Sequence, residues 1–198
     1  MFFYCSVSAK KGPNVNETTL QDSRILRRRV RYLLWFFIVA LAVSGLTAFP
    51  IQTEINALHR MVGEGSSMQR IWPEMAAWIT FLQRGITEVC GKYPFMQYGT
   101  DWLAFAHLII AIFFIGALRD PVRNIWVVQV GMIACVLVIP LAMICGPLRG
   151  IPFHWRLVDC SFGVFGFIPL WMVHRWIRRI EALECETPRN TGSPSSPF

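Results

Sequence analysis

An all-α polytopic membrane protein, a bundle of four transmembrane helices, is the fold class this sequence predicts, and three observations predict it. Four apolar stretches, 32–50, 102–118, 125–145 and 157–173, each approach the ~17–25 residues an α-helix needs to cross hydrocarbon. The chain is 54% hydrophobic and only 16% charged, whereas ordinary soluble domains carry about 25% charge. Its arginines gather in the segments between and around the apolar stretches. A bilayer core cannot hydrogen-bond exposed backbone, so stretches of this kind are expected to be helical.

The elements follow in chain order. Residues 1–22 form a polar N-terminal tail with no secretory signal, since the first apolar run comes late and is too long for a cleaved h-region. Ser23 is placed to cap the first helix, which runs through an arginine cluster into the 32–50 span and ends at Pro50. Ile51, Ile55, Leu58 and Met61 or Val62 then share one helical face, and Gly63–Ser67 breaks it. A second face follows with Ile71, Met75, Trp78, Ile79, Leu82, Ile86 and Val89. Segment 51–100 therefore predicts an outer amphipathic helical cap between the first two spans, with Trp72 and Trp78 at interfacial depth. Cys90–Thr100 reads as an irregular connector, broken by Pro94 and Gly99.

The second span opens at Asp101 and Trp102 and closes at the tight turn Arg119-Asp120-Pro121. Pro140 in the third span and Pro169 in the fourth each remove an intrahelical hydrogen bond and predict kinks. Gly163 and Gly166 in the fourth permit close helix approach. The membrane domain thus covers 23–181. Residues 182–198, rich in Pro, Ser, Thr and Gly, read as a disordered C-terminal tail.

A net charge of +7 raises the question of nucleic acid, but the distribution of cations excludes it. Arg24, Arg27, Arg28, Arg29 and Arg31 precede the first span, Arg119 and Arg123 join the second to the third, and His174, Arg175, Arg178 and Arg179 follow the fourth. All three groups fall on one side of an alternating four-span chain, the positive-inside pattern. Both termini are then cytoplasmic, and the sequon Asn16-Glu17-Thr18 lies out of reach of glycosylation.

The strings YGTDWLAFAH (98–107), RDPVRN (119–124) and IPFHWRLVDCSFG (151–163) resemble a group of small bacterial four-helix inner-membrane proteins. The resemblance covers residues 24–181. It implies a bacterial inner (plasma) membrane and four helices, and it transfers no activity and no functional residue.

Polar groups at membrane depth are costly and often functional. Here they gather at the outer helix ends: Asp101 and His107 on the second span, Arg149, His154 and Arg156 in the third connector, and Asp159 opening the fourth. In a bundle they would converge on one outer ligand-binding vestibule, with Glu54 and His59 nearby. The plain structural alternative pairs Asp159 or Asp101 with Arg149 or Arg156 and gives His107 one hydrogen bond to a neighbouring helix.

The leading reading is a small inner-membrane subunit or accessory protein that binds a partner protein, or a lipid-like ligand, at its outer face. A homo-oligomer is the related option. A rival is a redox subunit holding haem b or quinone near His107. Its haem would need His107 and His154 at matching depth on facing helices. A thiol–quinone oxidoreductase would need Cys145 and Cys160 as attacking and resolving thiols.

The six cysteines, Cys5, Cys90, Cys135, Cys145, Cys160 and Cys185, include no Cys-x-x-Cys. Three of them, Cys90, Cys145 and Cys160, fall on the outer side, where one disulfide could form. Phosphate loops, hydrolase elbows and metalloprotease His-Glu motifs do not occur in the sequence. The span centres carry little polarity beyond Ser44, Gln129 and Cys135, so a monomeric pore is not expected.

Overall fold

A computed structural model describes residues 15–191, and all regular structure among them is helical. Helix α1 covers Val15–Ala48, α2 Ile51–Val62, α3 Met68–Ile71 and α4 Pro73–Lys92; a single 3₁₀ turn, Pro94–Met96, leads into α5, Gln97–Arg119. Helices α6, Ile125–Leu148, and α7, Phe153–Thr191, complete the chain. Four helices are long and apolar enough to cross a membrane, over Leu20–Ala48, Pro94–Arg119, Ile125–Leu148 and Phe153–Glu184. Between 11% and 22% of the most apolar window of each is buried.

Helix α6 packs along α7, while α1 lies against both α5 and α7. Helices α5 and α6 touch only slightly, and α5 scarcely meets α7. The main core occupies one end of the bundle. Val30, Leu34 and Ile38 of α1 meet Phe114 and Ala117 of α5, Val127 and Val128 of α6, and Leu170, Val173 and Ile177 of α7. This end carries the arginine clusters of 24–31, 119–123 and 175–179, and is called the basic end below. Arg27 and Glu184 form an ion pair there between α1 and α7. Toward the far end, Ile133, Val136, Leu137, Leu141 and Ile144 of α6 are exposed.

Two glycine-lined crossings set the helix spacing. A Cβ on Gly45 would lie 2.9 Å from the Ala104 carbonyl oxygen and 3.0 Å from His107 Cβ, so α1 and α5 lie close there. A Cβ on Gly163 would collide with the Cys135 carbonyl oxygen, and one on Gly166 would sit 2.9 Å from Cys135 Sγ. The close α6–α7 approach expected from these two glycines is therefore present.

At the far end α2 packs on α4, burying Ile55 against a face that includes Met75, Ala76 and Ile79. Met75 and Ile79 of the expected second face are buried. Ile71, however, falls in α3, cut off from the body of α4 by Trp72 and Pro73, and is 78% exposed, and Val89 is exposed near the end of α4. The Gly63–Ser67 break is pinned by Thr80, whose hydroxyl accepts from Glu64 N at 2.9 Å and donates to the Ala76 carbonyl at 2.9 Å.

Several boundaries differ from the sequence reading. Ser23 is no cap: it lies within α1, and its hydroxyl donates to the Leu20 carbonyl at 3.0 Å. No glycine or proline falls between Asn14 and Ser44, so nothing obliges the helix to begin at Ser23. The expected N-terminal tail is helical from Val15, and its first 14 residues lie outside the described ones.

Cys90–Thr100 is not an irregular connector, because Pro94 opens a 3₁₀ turn and Gly99 is carried inside α5. Proline fits a helix start, where its missing N–H has no partner to lose. Helix α6 is continuous through Pro140, and α7 through Pro169. Helix α7 also continues to Thr191, across part of the segment read as a disordered tail; residues 192–198 lie outside the described ones.

Candidate functional site

The six residues singled out at the far end divide into two groups on different helices. Asp101 and His107 belong to α5, whereas Arg149, His154, Arg156 and Asp159 belong to the α6–α7 corner. Those helices scarcely touch.

The corner is shaped by glycine. Gly150 turns the chain at φ 69°, a left-handed conformation that suits it, and Ile151 N donates to the Gly146 carbonyl at 3.0 Å. Gly146 is buried, and a Cβ there would strike the stem of Arg156, 2.8 Å from Cγ. That missing side chain lets Arg156 fold back across the end of α6. Its guanidinium carbon then stands 5.1 Å over the Phe153 ring, within cation–π range. His154, two residues earlier, faces the α2–α4 segment: its ring centroid lies 5.8 Å from that of Trp72. Arg156 Nε and His154 Nε2 are buried without a hydrogen-bond partner among the described residues, as are Trp78 Nε1 of α4 and Ser66 Oγ before α3.

Asp159 does not pair with Arg149 or Arg156. The ion pairs among the described residues are Arg27–Glu184, Arg84–Glu64, Lys92–Glu88 and Arg178–Glu181. Helical side chains lean toward the N-terminus, so Arg156 reaches back to Gly146 and Phe153, away from the next turn where Asp159 sits. Arg149 is exposed beyond the end of α6. Asp101 is likewise without an ion pair among the described residues. It lines a shallow groove of about 280 Å³ with Phe49, Tyr98, Trp102 and Phe105.

His107 spends its hydrogen bond within its own helix. Nδ1 lies 2.7 Å from the Leu103 carbonyl, so the proton sits on Nδ1 and the ring reaches no neighbouring helix by that atom. Phe37 lies near Gly166 and His107 near Gly45. Counting ~1.5 Å of rise per residue between these levels puts His107 about level with Asp159 and roughly one turn below His154. The two imidazoles thus lie at different depths on helices that barely meet. No group of three or more His, Cys, Asp or Glu side chains gathers at one point among the described residues.

The thiols of Cys90, Cys135, Cys145 and Cys160 are all free. Cys145 is exposed near the end of α6 and Cys160 is buried in α7, so no disulfide joins this pair.

Sequence reasoning missed a second polar spot, at the basic end. Gln129 Nε2 of α6 lies 3.4 Å from His174 Nε2 of α7. Together they close one end of a groove of about 430 Å³, whose other walls are Met132, Ile133, Val136, Leu137 and Phe167. The signal lay in two separate segments, one polar residue each, which only helix pairing unites. No protein-family model, curated protein or solved structure matches this chain.

Proposed function

We propose that the protein is an accessory subunit of a bacterial inner membrane, with its basic end cytoplasmic, that binds a partner protein through the far end. On this reading α2–α4 form an amphipathic outer cap, and the four long helices cross the bilayer. The great apolar exposure of those helices supports insertion, since soluble proteins rarely leave large contiguous apolar surfaces in water. Aromatic side chains at both ends add to it: Tyr32, Trp35 and Trp126 at one, Tyr98 and Trp102 at the other, as an interfacial belt requires.

The observation that carries the partner reading is that His154 Nε2 and Arg156 Nε, both at the α6–α7 corner, are buried without a hydrogen-bond partner among the described residues. A buried donor without an acceptor costs roughly 1–3 kcal/mol. Turned outward, each side chain would take a carbonyl or carboxylate from a docked chain. Ile71, Phe81 and Phe95 of the cap region are 78%, 64% and 71% exposed, apolar surface of the kind that an interface covers.

The redox alternatives draw less support. His107 and His154 differ in depth, and Cys145 and Cys160 differ in exposure with no bond between them.

Site-specific photo-crosslinking in native membranes tests the proposal. A photoreactive residue at Ile71 or Phe95 should give one discrete protein adduct, and Arg156→Gln should diminish it several-fold. The same probe at Leu137, on the lipid-exposed face, should give none. Lipid adducts alone at every position would overturn the partner reading. A Soret band in the purified protein would favour the haem-binding rival.

A further inference from the structure

The groove between α6 and α7 runs from the middle of the bundle toward the end opposite the cap. It is apolar along Met132, Ile133, Val136, Leu137 and Phe167, and polar only where Gln129 and His174 meet. Its volume, about 430 Å³, falls within the ~300–1,000 Å³ of ligand-sized sites. Gln129 is exposed on a helix that otherwise carries apolar side chains outward, and a polar group facing hydrocarbon is disfavoured unless something pairs with it.

The depth of the pair is telling. Gln129 stands four residues into α6, about 6 Å from its start by helix rise. In an inserted α6 of this length, that depth would fall near the boundary between acyl chains and headgroups, where ester carbonyls lie. Trp126, 52% exposed, sits one turn nearer the helix start. On α7, Arg178 lies one turn beyond His174 on the same face, and Arg175 adjoins it with its guanidinium carbon 5.0 Å over the Trp171 ring. Arg178 bonds Glu181 at 2.9 Å and still has further N–H donors. The nearby α5–α6 loop adds Arg119 and Arg123. Apolar walls therefore lead to two hydrogen-bonding groups and then to a field of cations. An acyl chain, an ester carbonyl and a phosphate follow the same order.

We propose that this groove binds one anionic phospholipid, its acyl chain against Met132–Leu137 and Phe167, its ester carbonyls at Gln129 and His174, and its phosphate toward Arg175 and Arg178. Basic pockets between transmembrane helices on the cytoplasmic side are suited to anionic headgroups. The inference rests on membrane insertion with the basic end inside, and is independent of the partner at the far end.

The test is native mass spectrometry of the full chain released from nanodiscs. The discs contain phosphatidylglycerol and phosphatidylcholine in equal amounts, with matched acyl chains. Recovery of the protein in the disc fraction reads insertion by itself, separately from lipid selectivity. The wild type should retain one phosphatidylglycerol, about tenfold over phosphatidylcholine. Gln129→Leu with His174→Leu should abolish that preference. Leu137→Trp, which fills the groove and leaves the polar pair in place, should also displace the lipid and serves if the double variant fails to fold. Equal retention of both lipids, or preference unchanged in Leu137→Trp, would overturn the site. So would displacement of the lipid by an equimolar isoprenoid quinone, which would assign the groove to that ligand instead.

Discussion

At Gly163 a single hydrogen stands where a side chain would meet the Cys135 carbonyl, and that carbonyl belongs to the backbone of α6. Backbone cannot step aside as a flexible side chain can. Gly163→Leu should therefore lower thermal stability in detergent by the equivalent of about 1–3 kcal/mol, the usual cost of overpacking. Gly85 is the control: it lies exposed in α4 with nothing within 4 Å of where a methyl group would sit, so Gly85→Ala should gain roughly 0.5–1 kcal/mol from helix propensity. Equal melting shifts for the two variants would show that α6 and α7 are not tightly crossed at Gly163.

Asp159 makes the opposite point at the same scale. It is half-buried and joins no ion pair among the described residues, so no buried cation there depends on it. Asp159→Asn should shift stability by no more than about 0.5 kcal/mol. A larger loss that disappears in an Arg156→Gln background would restore the pairing expected from sequence.

Among the elements, the α2–α4 hairpin is held mainly by its own packing. Ile79 is 1% exposed at its centre, while Phe81, two residues on, is 64% exposed. Truncating a buried Ile commonly costs about 2–5 kcal/mol, and a serine hydroxyl adds a polar group to the same space. Ile79→Ser should thus open the hairpin and speed tryptic cleavage after Arg60, Arg70 and Arg84 several-fold. Phe81→Ser should leave the digestion pattern as it is. Cleavage that is equally slow in both variants would mean that α2 and α4 are protected by something other than their mutual core.

For the whole molecule, orientation follows from where cations end up. Arginines at one end of an inserted bundle bias that end to stay inside. In intact cells, a single cysteine at Ser67→Cys should react with a membrane-impermeant maleimide, and one at Arg123→Cys should react only after the membrane is opened. Labelling of Arg123→Cys in unopened cells would invert the topology. The core lies at the basic end, and there Arg27 joins α1 to α7 through Glu184. This ion pair is exposed, so it fixes geometry more than it stabilises.

Four apolar stretches of spanning length were legible in the chain itself, because hydrocarbon length and backbone hydrogen bonding leave a helix little alternative. The helical character of 51–62 and 73–92 and the small residues at Gly163 and Gly166 were legible too, since a 3.6-residue period and a missing Cβ are local properties, although the face expected to start at Ile71 begins only after Pro73. Partnership between segments was not. The sequence places Arg156 near Asp159, but only the packing of α7 on α6 turns Arg156 toward Gly146 and leaves Asp159 without an ion pair among the described residues. It places Gln129 and His174 45 residues apart, and only the pairing of their helices puts them at one end of a groove. Spans are written in runs of neighbouring residues, whereas a site depends on which faces of distant helices meet, and that is decided by tertiary packing.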